Sequence, residues 1–126
     1  MTQNDKELLL KDLCARLPYN VKVKVECGDI PYGPTVLSKL DIKRKVALFD
    51  FEVRIENCKP YLRSMSSMTE DEKEEERKLW DIVTTTRNDL LYLYTDFLIS
   101  HHFDFRNLIE KGLAIEVNKN NNPYKN

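Results

Sequence analysis

The sequence predicts a single α+β domain: an N-terminal helix, a small antiparallel β-sheet or SH3-like barrel, then C-terminal helices. Three observations carry that prediction. From Lys45 to Glu56 the odd positions Ala47, Phe49, Phe51, Val53 and Ile55 are all apolar, while Asp50, Glu52, Arg54 and Glu56 are polar. That is the period of a strand with one buried face. From Val21 to Glu26 valines alternate with Lys22, Lys24 and Glu26, again a strand pattern. Leu9, Leu10, Leu13 and Leu17 before the strands, and the apolar run from Leu90 to Ile99 after them, repeat instead at helical spacing.

The chain has 126 residues, the size of one domain with one core. At 41% hydrophobic and 33% charged residues it belongs to neither the membrane nor the disordered class. No apolar run approaches the length needed to span a bilayer. Residues Met1 to Glu7 lack the basic and apolar regions of a signal peptide, so the expectation is a cytoplasmic protein with no membrane contact. The cysteines, Cys14, Cys27 and Cys58, are odd in number, widely spaced and without a Cys-x-x-Cys pair, which predicts reduced thiols rather than a disulfide framework or zinc site. Net charge is −1, giving no overall pull toward nucleic acid. The charge is uneven, however. Residues 1–68 hold 12 Lys/Arg and 9 Asp/Glu, a balance of +3, and residues 69–126 hold 8 and 12, a balance of −4.

The compact domain is expected to cover residues 1–117. Asn4 and Glu7 form a candidate capping box for a helix over 4–17, ended by Pro18. A β meander follows over 19–63. Its first strand is Val21–Glu26, ended by Cys27, Gly28 and Asp29. The two prolines and the glycine of Asp29–Pro34 mark a loop. Thr35–Ile42 is the second strand, Lys43 and Arg44 make a turn, and Lys45–Glu56 is the central strand. Pro60–Arg63 adds a short strand or 3₁₀ turn, and Ser64–Met68 is a linker. The helical part spans 69–112. Thr69 caps a helix with Glu72 completing the box, and Glu70, Asp71 and Glu72 occupy the first turn favoured by the helix dipole. Its apolar residues, Leu79, Trp80, Ile82 and Val83, sit at the far end, so the first half reads as a solvated arm. Thr84–Asn88 breaks it. Thr86 or Asn88 starts a third helix, apolar on more than one face and hence expected to be buried. Asp104 caps a short helix over Phe105–Lys111, closed by Gly112 in the left-handed region. Leu113–Val117 is a candidate edge strand, and the Asn-rich segment 118–126 reads as a disordered tail.

Three stretches carry a resemblance: Asp12 to Tyr19, Lys59 to Glu70, and His101 to Ala114. Together they resemble a group of small proteins of anaerobic gut bacteria and of their phages and mobile elements. The group has no assigned reaction, cofactor or catalytic residue, so the resemblance implies a small cytosolic protein of phage or mobile-element type and no site residues. Residues 84–100 diverge from the group's pattern, and Ser64 stands where a proline is common.

Candidate functional residues fall into three sets. Trp80 follows the acidic stretch, and with Arg77 and Glu74 it forms a candidate partner-binding patch, since Trp and Arg are the commonest interface anchors. Lys22, Lys24, Lys43, Arg44 and Lys45, with Tyr19 and Tyr32 as stacking platforms, form a candidate nucleic-acid face. Exposed lysines also protect strand edges, and Glu26, Asp29 and Asp41 interrupt the basic face. His101 and His102 lie near Asp104 and Arg106, where an acid–base or metal role is conceivable; adjacent helical residues diverge by roughly 100°, so at most one enters a given site. At a helix end the same pair reads as one ring favoured by the dipole and one packed. No phosphate-cradling glycine loop, nucleophile elbow or cofactor motif occurs. The sequence therefore predicts a non-enzymatic module that binds a host or phage protein. Homo-oligomerisation is compatible with the same patch. Nucleic-acid binding is the alternative, and a small hydrolase using His101 or His102 the weaker one.

Overall fold

Helix α1 (Gln3–Arg16) begins at a capping box. Thr2 Oγ1 accepts from the Asp5 amide at 3.1 Å and the Asp5 carboxylate accepts from the Thr2 amide at 3.3 Å. The sequence places this box on Asn4 and Glu7. Both pairs have the required spacing, and the earlier one lets the helix start at Gln3 without moving its apolar stripe. Pro18 then forces a 3₁₀ turn over Leu17–Tyr19, and Asn20 reverses the chain in the left-handed region, φ 57°. The structure is a computed structural model that describes residues 1–27, 30–85 and 90–125, with the side chains of Cys27 and Ile30 excepted.

The α+β class holds, with the strands in two sheets rather than one meander or one closed barrel. The strands are β1 (Lys22–Cys27), β2 (Ile30–Val36), β3 (Leu40–Asp41), β4 (Val46–Leu48), β5 (Glu52–Arg54), β6 (Cys58–Leu62) and β7 (Ile115–Glu116). One sheet runs β2-β1-β6-β7 and the other β3-β4-β5. Valines 21, 23 and 25 face inward as their alternation predicts. They share a core with Leu9 and Leu13 of α1 and with Leu37, Ala47, Val53, Ile55 and Cys58. β7 lies parallel to β6, pairing Ile115 with Tyr61 and Glu116 with Leu62.

Two expectations about the sheet are corrected. The stretch 45–56 is a hairpin, not a continuous strand. β4 and β5 pair Ala47 with Val53, and the Phe49 amide donates to the Phe51 carbonyl at 3.0 Å across the turn. The turn residues Phe49, Asp50 and Phe51 are odd in number, so odd positions face inward on both arms and alternation survives the reversal. Phe51 is consequently exposed rather than buried. The second correction is at 30–36, where the expected loop is strand β2. Its prolines are tolerated because β2 is an edge strand, which can spare ladder donors. At Gly33, φ is +111° and a Cβ would sit 2.6 Å from the Val23 carbonyl oxygen, so only glycine fits against β1 at its bulge. The expected strand 35–42 is split by Leu37, which is fully buried at the crossing between sheets.

The expected capping box of the second helix, α2 (Glu70–Thr85), is present: Thr69 Oγ1 accepts from the Glu72 amide at 3.2 Å and Glu72 from the Thr69 amide at 2.9 Å. The helix runs on through Thr84 and Thr85; the expected starts of the next one at Thr86 or Asn88, like the strand end at Gly28 and Asp29, lie outside the described residues. α3 (Leu91–Ser100) buries Phe97, Leu98 and Ile99 but exposes Leu91 and Tyr92, so it is buried only at its C-terminal end. No helix forms over 105–111. The Asp104 carboxylate instead accepts from the amides of Arg106, Leu108 and Ile109, and Asn107 takes φ 60°. An Asp side chain that captures successive amides competes with the helix it was expected to cap. Gly112 does take the left-handed conformation, φ 76°. The tail, expected to be disordered, is docked on the sheet at Pro123 and Tyr124. Tyr124 Oη donates to the Tyr61 carbonyl at 2.7 Å and accepts from the Lys22 amide at 3.0 Å.

Asp12 and Arg16, charged residues four apart on α1, are both fully buried. Asp12 accepts from Arg16 Nε at 2.8 Å and from an Arg106 terminal nitrogen at 2.6 Å, and Arg16 also donates to the Phe103 carbonyl at 2.6 Å. Both guanidinium groups lie over the Phe105 ring. Removing one member of a buried ion pair strands its partner, at a cost of about 3–5 kcal/mol. We expect that loss in urea unfolding of Asp12→Ala, against about 1 kcal/mol for loss of the exposed cap in Thr2→Ala. Equal losses in the two variants would show that the network contributes nothing beyond a surface pair.

Candidate functional site

Trp80, Arg77 and Glu74 are brought together on the exposed side of α2. Arg77 reaches back to Glu74 and forward to Asp81, as residues three and four apart on a helix can. The Trp80 ring meets Tyr94 of α3 edge-on, with centroids 5.2 Å apart and planes at 60°. Tyr94 Oη donates to Glu76 at 2.9 Å, and burial followed by that carboxylate pushes the phenol up to about 12. Glu76, Arg77, Trp80 and Tyr94 line a notch of about 360 Å³. Trp80 is 49% exposed and Tyr92 57%, and Ile82 and Leu91 are exposed with them. The sequence reasoning missed Tyr94 as a member of this site. The run 90–99 looks apolar all round, and nothing in its spacing says which half of it lies against the core.

The basic residues are divided between the two sheets. Lys22 and Lys24 lie on β1 of the four-stranded sheet, whereas Lys43, Arg44 and Lys45 lie at the β3–β4 turn of the other. Lys22 Nζ donates to the Pro123 carbonyl at 2.7 Å. Arg44 pairs with Glu52 and with Asp41, and the Glu52 hydrogen bond raises its pKa further. Tyr32 packs edge-on against Phe51 and Phe49 at 5.5 and 6.2 Å.

His101 closes α3, and His102 takes the left-handed conformation, φ 65°, which ends the helical divergence, so both histidines border one cavity rather than at most one as expected. His101 Nδ1 lies 3.1 Å from Glu72, which also receives both terminal nitrogens of Arg63 at 2.7 Å. The Arg63 hydrogen bonds hold the Glu72 carboxyl down at about 2. His102 stacks on Tyr124, centroids 3.8 Å apart and planes 9° apart. Burial first, then the charges of Arg16 and Arg63, push it down to about 4. Its Nδ1 is buried without a hydrogen-bond partner among the described residues. Both histidines line a cavity of about 550 Å³ with Arg63, Ser100, Lys119 and Lys125. The nearby hydroxyls are already spent on carbonyls, Ser100 on Phe97 and Ser67 on Ser64. The described residues thus contain no hydroxyl hydrogen-bonded to either imidazole. Neither Cys14 nor Cys58 is a ready nucleophile: both are free, and burial raises both, Cys58 to about 12. Sequence reasoning saw Glu72 only as a cap and Arg63 not at all, because their meeting with His101 depends on how β6, α2 and α3 converge.

Among the described residues no helix is long and apolar enough to cross a membrane, and no cluster of His, Cys, Asp and Glu could hold a metal ion. No family model, curated protein or solved structure matches the chain.

The two depressed pKa values make the fold acid-sensitive in adjoining windows. His102 stays neutral while the unfolded chain takes up a proton, so its contribution is complete above pH 6.5 and is lost as pH falls toward 4. Glu72 contributes fully above pH 4.5 and loses its share as pH falls toward 2. We expect denaturation midpoints of His102→Asn to be flat from pH 6.5 to 4.5, where the wild type declines; parallel curves would remove His102 as the source.

Proposed function

We propose that the protein is a non-enzymatic interaction module, of phage or mobile-element type, that modulates a host protein through the α2–α3 face. The observation that carries this is the exposed Trp80, held edge-on by Tyr94 at a notch that both line with Glu76 and Arg77. A half-exposed tryptophan held in place by a second aromatic ring has the character of a binding anchor. Nucleic-acid binding is less well supported, since Lys22 and Arg44 are already engaged and the basic residues divide between two sheets.

The test compares wild type, Trp80→Ala, and Lys43→Glu/Arg44→Glu/Lys45→Glu in affinity capture from bacterial host lysate, followed by affinity measurement on the purified partner. An anchor contributes about 2 kcal/mol or more, so Trp80→Ala should weaken binding roughly thirtyfold, and the basic-turn variant should bind as the wild type does. A partner retained equally by Trp80→Ala would move the interface elsewhere. Salt-sensitive recovery of nucleic acid, lost in the basic-turn variant, would replace the proposal with the nucleic-acid alternative.

A further inference from the structure

We propose that the cavity beside His101 and His102 binds a phosphate-bearing small molecule, whose charge is met by Lys119 and Lys125. The cavity lies where the end of α3 and Arg63 face the C-terminal segment, and its volume of about 550 Å³ falls within the range of small-molecule sites. Its charged lining is cationic. Arg63, Lys119 and Lys125 contribute, and no carboxylate is among the lining side chains. The acid that touches this region, Glu72, is occupied by both terminal nitrogens of Arg63 and by His101 Nδ1. Among the described residues neither Lys119 nor Lys125 has a carboxylate partner. An anion held there meets two ammonium donors that have no carboxylate partner among the described residues.

The site also has a fixed frame. The His102–Tyr124 stack, with Tyr124 Oη bonded to the Tyr61 carbonyl, pins the C-terminal segment so that Lys119 and Lys125 border the cavity. The Glu72 carboxylate takes the Nδ1 side of the His101 ring. A ligand that joins His101 on α3 to lysines beyond β7 ties the C-terminal segment down, so binding and docking of residues 117–125 reinforce one another.

The experiment titrates AMP, inorganic phosphate and adenosine into isotopically labelled full-length protein at constant ionic strength. Saturable shifts of the His101 and His102 ring signals are expected with AMP and, more weakly, with phosphate, together with slower amide exchange over 117–125. Lys119→Gln/Lys125→Gln should raise the AMP dissociation constant about tenfold or more, equivalent to about 1.4 kcal/mol, with an unchanged melting midpoint without ligand. Trp80→Ala should bind AMP as the wild type does, so the site stands or falls separately from the α2–α3 interface. Three outcomes would overturn the proposal: shifts that grow linearly without saturating, an affinity unmoved by the double substitution, or adenosine binding as well as AMP.

Discussion

The carboxylate of Asp12, shared between Arg16 and Arg106 inside the protein, is the constraint from which the remaining geometry follows. It joins the first helix to a segment more than ninety residues later, where Arg16 also takes up the Phe103 carbonyl. That segment is held from the other side by β6: the Arg63 amide donates to the His102 carbonyl and the Asp104 amide to the Arg63 carbonyl, both at 2.8 Å. The Arg63 side chain then leaves over Phe103 to reach Glu72 at the start of α2. A continuous run of charged and backbone groups therefore links α1, the 101–106 segment, β6 and α2. Apolar residues of the same volume would give comparable stability. What the ionic version adds is register, because a carboxylate with one oxygen for each arginine accepts only one relative placement of α1 and the 103–109 turns.

Part of this was legible beforehand, for identifiable reasons. The Thr69–Glu72 box, the inward valines of β1 and the left-handed Gly112 are each set by contacts within a few residues, which a sequence displays directly. The hairpin at 46–54 was not legible, because a three-residue reversal preserves parity and leaves the alternation of a single strand intact. The prolines of β2 mislead for a different reason: whether a strand lies at an edge is a property of the sheet, not of the strand. Asp12 and Arg16 did carry a signal. With Leu9 and Leu13 they complete the spacing of one buried helix face, but opposite charges four apart read first as a solvated pair.

The candidate sites divide along the same line. Trp80, Arg77 and Glu74 lie within two turns of one helix, so their proximity is a local feature that a sequence displays directly. The cavity at His101 and His102 is built from β6, α3 and the C-terminal segment, so only the pair of histidines was visible in advance. The tail looked free because asparagines are turn formers without core residues among them. Tyr124 supplies the missing anchor, and its partners, His102, Tyr61 and Lys22, are all remote in sequence.

Glu72 settles what kind of helix presents Trp80. The acidic content of α2 suggests a solvated arm, and most of those carboxylates are indeed exposed. Glu72 differs from them: it closes the capping box with Thr69, accepts both nitrogens of Arg63 and touches His101 Nδ1. Three independent partners on one side chain fix the start of α2 against β6 and the end of α3. Further along, Tyr94 bonds Glu76 and meets Trp80, and Val83 is buried, so the helix is held along its length. Trp80 is thus exposed on a helix that is already ordered. Binding through it would forfeit little backbone entropy, which is the condition under which one aromatic anchor can dominate an interface.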